Sequence, residues 1–178
     1  MLGADWSVED LRAHPQLISP EEDGETFEAN ACIKAEAASR ELPGVLVLSD
    51  DSGLEVDALG KAPGVQSARY AGAGASNADN RARLKRELAG IGATNSTARF
   101  RCCMALARDG VTLGTFSGAV EGRVIDHEQG EGGFGYDSMF VPAGFDETFG
   151  VLSAEVKNGL SHRARALAQV VEWLRENA

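Results

Sequence analysis

What this chain lacks narrows its class first. None of its apolar runs approaches the roughly 18 residues that a membrane-spanning helix needs, and the opening MLGADWSVED has no basic segment followed by an apolar core. A soluble chain working in the cytoplasm, away from membranes, is expected. There are three cysteines, Cys32, Cys102 and Cys103, an odd count that includes two neighbours on opposite faces of an expected strand. A disulfide framework is therefore not expected, and no zinc-ligand spacing occurs. Positive charge is also scarce, with 17 Lys and Arg against 27 Asp and Glu, a formal net charge of −10 and a pI near 4.8. Such a surface repels polymeric nucleic acid over a Debye length of about 8 Å. A small anionic substrate remains compatible, provided that Mg²⁺ and a few local cations mask its charge.

What is present suits one domain spanning residues 1–178, since 178 residues with 43% hydrophobic content can bury roughly two thirds of the unfolded surface. Residues 5–13 read as a short helix with Trp6, Leu11 and Val8 inward. TFEANACIKAEAASREL has apolar residues at Phe27, Ala31, Ala35, Ala38 and Leu42, a helical spacing, with Thr26 as its cap. Residues 45–48 read as a buried strand ending at Asp50 and Asp51, followed by a turn on Ser52 and Gly53 and a second extended piece, LEVDAL. Residues 61–80 read as a long loop, with a helix from about residue 77 to 88. TARFRCCMALAR and VTLGTFSGAVEGRVI predict two long strands joined by a turn at Asp109 and Gly110. GEGGFGYDSMFVP is a glycine-rich loop that enters another strand. Ser161 caps a final amphipathic helix with Ala164, Leu167, Ala168, Val171 and Leu174 inward.

Four constellations carry candidate chemistry. Asp50 and Asp51, at the expected strand end, need a partner that offsets their repulsion, and carboxylates completed by water suit Mg²⁺. Glu21 and Glu22 are placed to add a third acidic ligand; the alternative is a solvated Asp-Asp turn. Lys34 lies among alanines, where a cation reaches a phosphate or simply snorkels past the core. In residues 130–137 glycines admit a flat ligand while Phe134 and Tyr136 offer rings for stacking, although the run matches neither a P-loop nor a dinucleotide fingerprint. His162 and Arg163 open a helix, where positive side chains oppose the macrodipole. That local conflict favours a functional role over an ordinary surface pair.

Taken in order, TFEANACIKA, LSDDSGLEVDALGKAPGVQSARYAG, GGFGYDSMFVP and LSHRARAL resemble the inosine triphosphate pyrophosphatase family from about residue 21 to the C-terminus. The resemblance implies an α/β fold with a long mixed twisted sheet flanked by helices and an active-site cleft between two lobes. It also implies a homodimer that, with Mg²⁺, hydrolyses ITP, dITP or XTP to the monophosphate and pyrophosphate. Asp51 would be the general base and a metal ligand, assisted at the metal by Asp50 and by Glu22 or Glu21. Lys34 and Ser52 would contact phosphates. Phe134, Gly135, Tyr136 and Asp137 would hold the base, and Lys157, His162 and Arg163 would read its edge. Family members open with an apolar strand and a Ser/Thr-x-Asn-x-x-Lys loop that grips the triphosphate, a pattern not found before Lys34. The resemblance thus also implies a shortened N-terminus, and as the alternative function a nucleotide-binding protein with impaired catalysis. A haloacid-dehalogenase-type phosphatase is disfavoured, since Asp51-Ser52-Gly53 lacks the required Asp-x-Asp.

Overall fold

The alternating pattern of residues 111–125 becomes the longest strand of the computed structural model, which describes residues 6–177. Its elements in chain order are α1 (Phe27–Glu41), β1 (Val47–Val56), α2 (Asn77–Gly90), β2 (Asn95–Arg108), β3 (Val111–Ile125), β4 (Phe140–Pro142), α3 (Ala154–Leu160) and α4 (His162–Asn177). The strands form one sheet in the order β1-β2-β3-β4. β3 pairs antiparallel with β4 through Gly122 and Pro142, Arg123 and Val141, and Val124 and Phe140. A turn at Asp109 and Gly110 joins β2 to β3, with φ of 52° and 80° as a two-residue hairpin loop requires. The α/β class with helices on a sheet agrees with the resemblance. Strand order follows chain order, and the sheet is antiparallel.

The chain divides into two compact units. The first gathers residues up to Asp51, Cys103–Ser117 and the chain from Ala166 onward. In it α1 lies on β2 through Ala31, Ala35, Ala105 and Ala107, whose small side chains let a helix approach the strand closely. Residues 102–107 are all buried, so here β2 is covered on both faces, and Cys102 and Cys103 are buried with it. The second unit comprises Ser52–Cys102 and Gly118–Arg165. Its core joins Leu54 and Val56 of β1, Leu84 and Leu88 of α2, Ala98 and Phe100 of β2, Val120 and Val124 of β3, and Phe140 and Phe149.

Several elements differ from expectation. β1 does not stop at Asp51: it runs through Ser52 and Gly53 to Val56 without a turn. Pairing within the sheet supplies the hydrogen-bond ladder and overrides the turn preference of Ser-Gly. Val45 and Leu48 are exposed, at 48% and 43%, so this end of the strand is not the buried one. The helix expected over residues 5–13 reduces to a 3₁₀ turn at Leu11–Ala13 with Val8 and Leu11 exposed, while Asp5 lies outside the described residues. Residues 64–69 of the expected long loop form a 3₁₀ segment, and α3 was not anticipated. α4 begins where expected, with Ser161 accepting from the Ala164 N–H, but it buries Ala166, Val170, Val171 and Leu174, leaving Ala168 exposed. Among the described residues no helix is long and apolar enough to cross a membrane.

Candidate active site

In the first unit the site is built by α1 and by the start of β1. Thr26 caps α1 by accepting from the Ala29 N–H, which fixes the first turn and the direction in which Asn30 and Lys34 leave the helix. Four residues apart, they share one face. Asn30 Nδ2 donates to Asp51 Oδ2 at 3.0 Å, and Asn30 Oδ1 accepts from the Gly24 N–H at 2.8 Å. Lys34 Nζ lies 3.2 Å from Glu22 Oε2 and 3.8 Å from Asp51 Oδ1. Two carboxylates from distant segments therefore converge on one ammonium group. Asp51, with its side chain 13% exposed, is the more sheltered of the two.

Because adjacent residues of an extended strand project to opposite faces, Asp50 and Asp51 leave β1 in different directions. The expected side-by-side pair is thus separated by strand geometry. Asp50 and Lys34 instead line a pocket of about 350 Å³ whose other walls include Leu11, Leu17, Ile18 and Met104. Glu21 is exposed, whereas Glu22 is half-buried beside Lys34. Among the described residues no group of three or more His, Cys, Asp or Glu is gathered as a ready metal cage. The donor set of Glu22 and Asp51 nevertheless fits a hard divalent cation of the Mg²⁺ type, which takes one or two protein carboxylates and completes its shell with water and substrate phosphate oxygens.

In the second unit the loop of residues 130–137 folds back on Asp137. That carboxylate is buried, accepts from the Phe134 N–H at 2.7 Å and is ion-paired with Lys157. A Cβ at Gly133, where φ is 75°, would overlap the Asp137 side chain, so glycine is required by the loop itself. Phe134 is 62% exposed, with Lys157 Nζ 4.8 Å and Arg163 Cζ 5.4 Å from its ring centre. An exposed aromatic ring with two cations lying over it offers stacking and cation contacts to a flat, electron-rich ring.

Tyr136 does not share that role. Its ring is buried in the core and its hydroxyl donates to the Ser67 carbonyl at 2.9 Å; burial pushes its phenol well above the usual range. It anchors the loop and does not offer a stacking surface. His162 is buried at the start of α4, its ring parallel to Phe100 with centroids 5.1 Å apart. Ser52 sits half-buried in β1 beside Asp51, and Gly135 presents its carbonyl to Arg81.

A sequence model of the Ham1 family matches residues 1–173. The chain belongs to the Ham1 family. It is 45% identical over 161 residues to a dITP/XTP pyrophosphatase of Nautilia profundicola, covering 89% of this chain and 82% of that one. To the dITP/XTP pyrophosphatase of Geobacter sulfurreducens it is 46% identical over 172 residues, 97% of this chain and 86% of the relative. Among solved structures, the Staphylococcus aureus Ham1 protein superposes with a TM-score of 0.88 at 37% identity, covering 98% of this chain and 89% of the other. A Coxiella burnetii HAM1 protein gives 0.85 at 36%, covering 93% and 84%. In this Ham1 chain the residue that sequence reasoning left without a role is Asn30. Its position four residues before Lys34, on one face of an alanine-rich helix, was the available signal.

Proposed function

We propose that this Ham1 chain hydrolyses non-standard purine nucleoside triphosphates, ITP, dITP and XTP, to the monophosphate and pyrophosphate, and so removes them from the nucleotide pool. Relatives named for dITP/XTP pyrophosphatase activity support hydrolysis over binding without turnover. The observation that carries the chemistry is Asp51 held between Asn30 and Lys34.

Asp51 accepts the proton of the attacking water, and the Asn30 amide fixes the carboxylate so that one oxygen stays aimed at it. Lys34 leaves its carboxylates for the incoming phosphates, whose charge it offsets, and Ser52 contacts the same chain. Glu22 and Asp51 would hold Mg²⁺, with Asp50 and Glu21 outside that pair. The ion, when bound, neutralises phosphoryl oxygens. In the second unit Phe134 stacks on the purine, while Lys157, Arg163 and His162 direct donors at its edge, steadied by Asp137. Donors aimed at a 6-oxo group accept hypoxanthine and xanthine. The 6-amino group of adenine sets N–H against N–H and is rejected. We further propose a homodimer in the cytoplasm, a state that light scattering on the purified chain tests.

The deciding experiment follows pyrophosphate and orthophosphate released from ITP, XTP and ATP. Pyrophosphate from ITP and XTP, with ATP poorly used, is expected. Asp51→Asn should keep the fold, seen by circular dichroism, and lower turnover by about 10² to 10⁴-fold, as loss of a general base does. A variant as fast as the parent would remove Asp51 from that role.

A further inference from the structure

Resting on the reading above, we infer that Arg81 of α2 is a positioning residue for purine selection, acting through the Gly135 carbonyl on the loop that carries Phe134. Gly135 has φ of 61° and open space where a Cβ would stand, so nothing packs against it on that side to hold it in place. A hydrogen bond does: Arg81 Nη1 donates to the Gly135 carbonyl at 2.9 Å. Glu128 in turn aims the guanidinium, accepting from Arg81 Nε at 2.8 Å and from Lys85 Nζ at 2.7 Å. Lys85, and with it Arg81, keeps the Glu128 carboxyl below its ordinary range, so the acceptor stays charged at neutral pH.

The loop carries three glycines with positive φ, at 130, 133 and 135, and is intrinsically free to rearrange. Its ordered form is held by backbone bonds from the Gly132 N–H to the Gly150 carbonyl and from the Asp137 N–H to the Phe134 carbonyl, by the Lys157–Asp137 pair, and by three ties that involve side chains. Asp137 Oδ2 accepts from the Phe134 N–H, the Tyr136 hydroxyl donates to Ser67, and Arg81 holds Gly135 between them. The first two bind residues 134, 136 and 137, and the Asp137 N–H closes a turn on the Phe134 carbonyl; the carbonyl of Gly135, in the middle of that turn, is held by Arg81. Release of that tie lets the peptide rotate and turns the exposed Phe134 ring away from Lys157 and Arg163. Selectivity then falls before chemistry does, because the groups around Asp51 are untouched.

Arg81→Ala and Arg81→Lys are compared with the parent by amide hydrogen exchange and by steady-state kinetics on ITP and ATP. For the alanine variant, faster exchange confined to residues 130–137 is expected, with KM for ITP raised about tenfold, kcat within about twofold and the preference for ITP over ATP reduced about tenfold. The lysine variant, which keeps a cation for Glu128 but lacks the forked guanidinium, should fall between. Unchanged exchange in the loop overturns the inference, as does faster exchange with KM and preference intact. So does a uniform loss of kcat with a lowered Tm, which marks a merely structural role. If the parent releases no pyrophosphate from ITP, the proposed function fails, and calorimetric affinity for IMP decides this point separately. Weakening by Arg81→Ala supports the inference and an equal affinity overturns it.

Discussion

Asn30 shows how much a single buried amide settles. It is 1% exposed, and its two polar ends serve different tasks, one holding the Gly24 N–H and the other the Asp51 carboxylate. Asn30→Asp keeps the acceptor for Gly24 and replaces the donor facing Asp51 with a second carboxylate oxygen. Two like charges at such a distance cannot both ionise freely, so one of them titrates higher. The acid limb of the pH profile of kcat/KM should therefore move up by about one unit or more, while the circular dichroism spectrum is retained. An unmoved limb would mean that Asn30 does not govern the Asp51 carboxylate.

At the scale of elements, α2 connects several loops. Asn80 donates to the Ala68 carbonyl and accepts from the Ala71 N–H, Arg83 reaches the Tyr70 carbonyl and lies over its ring, and Arg81 reaches Gly135. All of this depends on where the helix begins. Ser76 Oγ accepts from the Asp79 N–H at 3.2 Å while the Asp79 carboxylate accepts from the Ser76 N–H at 2.9 Å, a reciprocal cap. Ser76→Ala should lower stability by about 1 kcal/mol and Tm by about 2 to 4 °C. Thermal unfolding measures it; an unshifted Tm would show that the start of α2 is held by packing alone.

For the molecule as a whole, acid is the informative perturbation. In the second unit Arg99 engages Glu55, Asp57 and Glu121, and Asp57 also meets Lys61 and Thr97. Arg99 first, then Lys61 and Thr97, hold the Asp57 carboxyl far below its usual 3.8. A folded pKa below the unfolded one gives stabilisation that is fully present above the unfolded value and disappears as pH falls through the folded one. Tm should thus decline progressively below about pH 4. Asp57→Asn should be less stable at neutral pH and lose less on acidification. Parallel Tm curves for the two proteins would show that Asp57 does not carry that dependence.

The sequence by itself determined whatever is written in short-range pattern. Thr26 and the alanine spacing specify α1, residues 111–125 specify β3 by alternation, Asp109-Gly110 specifies the hairpin, and the four motifs specify the family. Only the tertiary structure decided how Asp50 and Asp51 are used, because a neighbouring strand, absent from any local window, carries β1 straight through Ser52 and Gly53. It likewise sent Tyr136 to the core by way of Ser67, 69 residues away, and brought Asn30 to Asp51 and Arg81 to Gly135 across 21 and 54 residues. Periodicity and caps act over a few residues and can be read along the chain. A buried hydrogen bond between distant segments forms only when packing brings both partners out of water, and no local pattern records which two will meet.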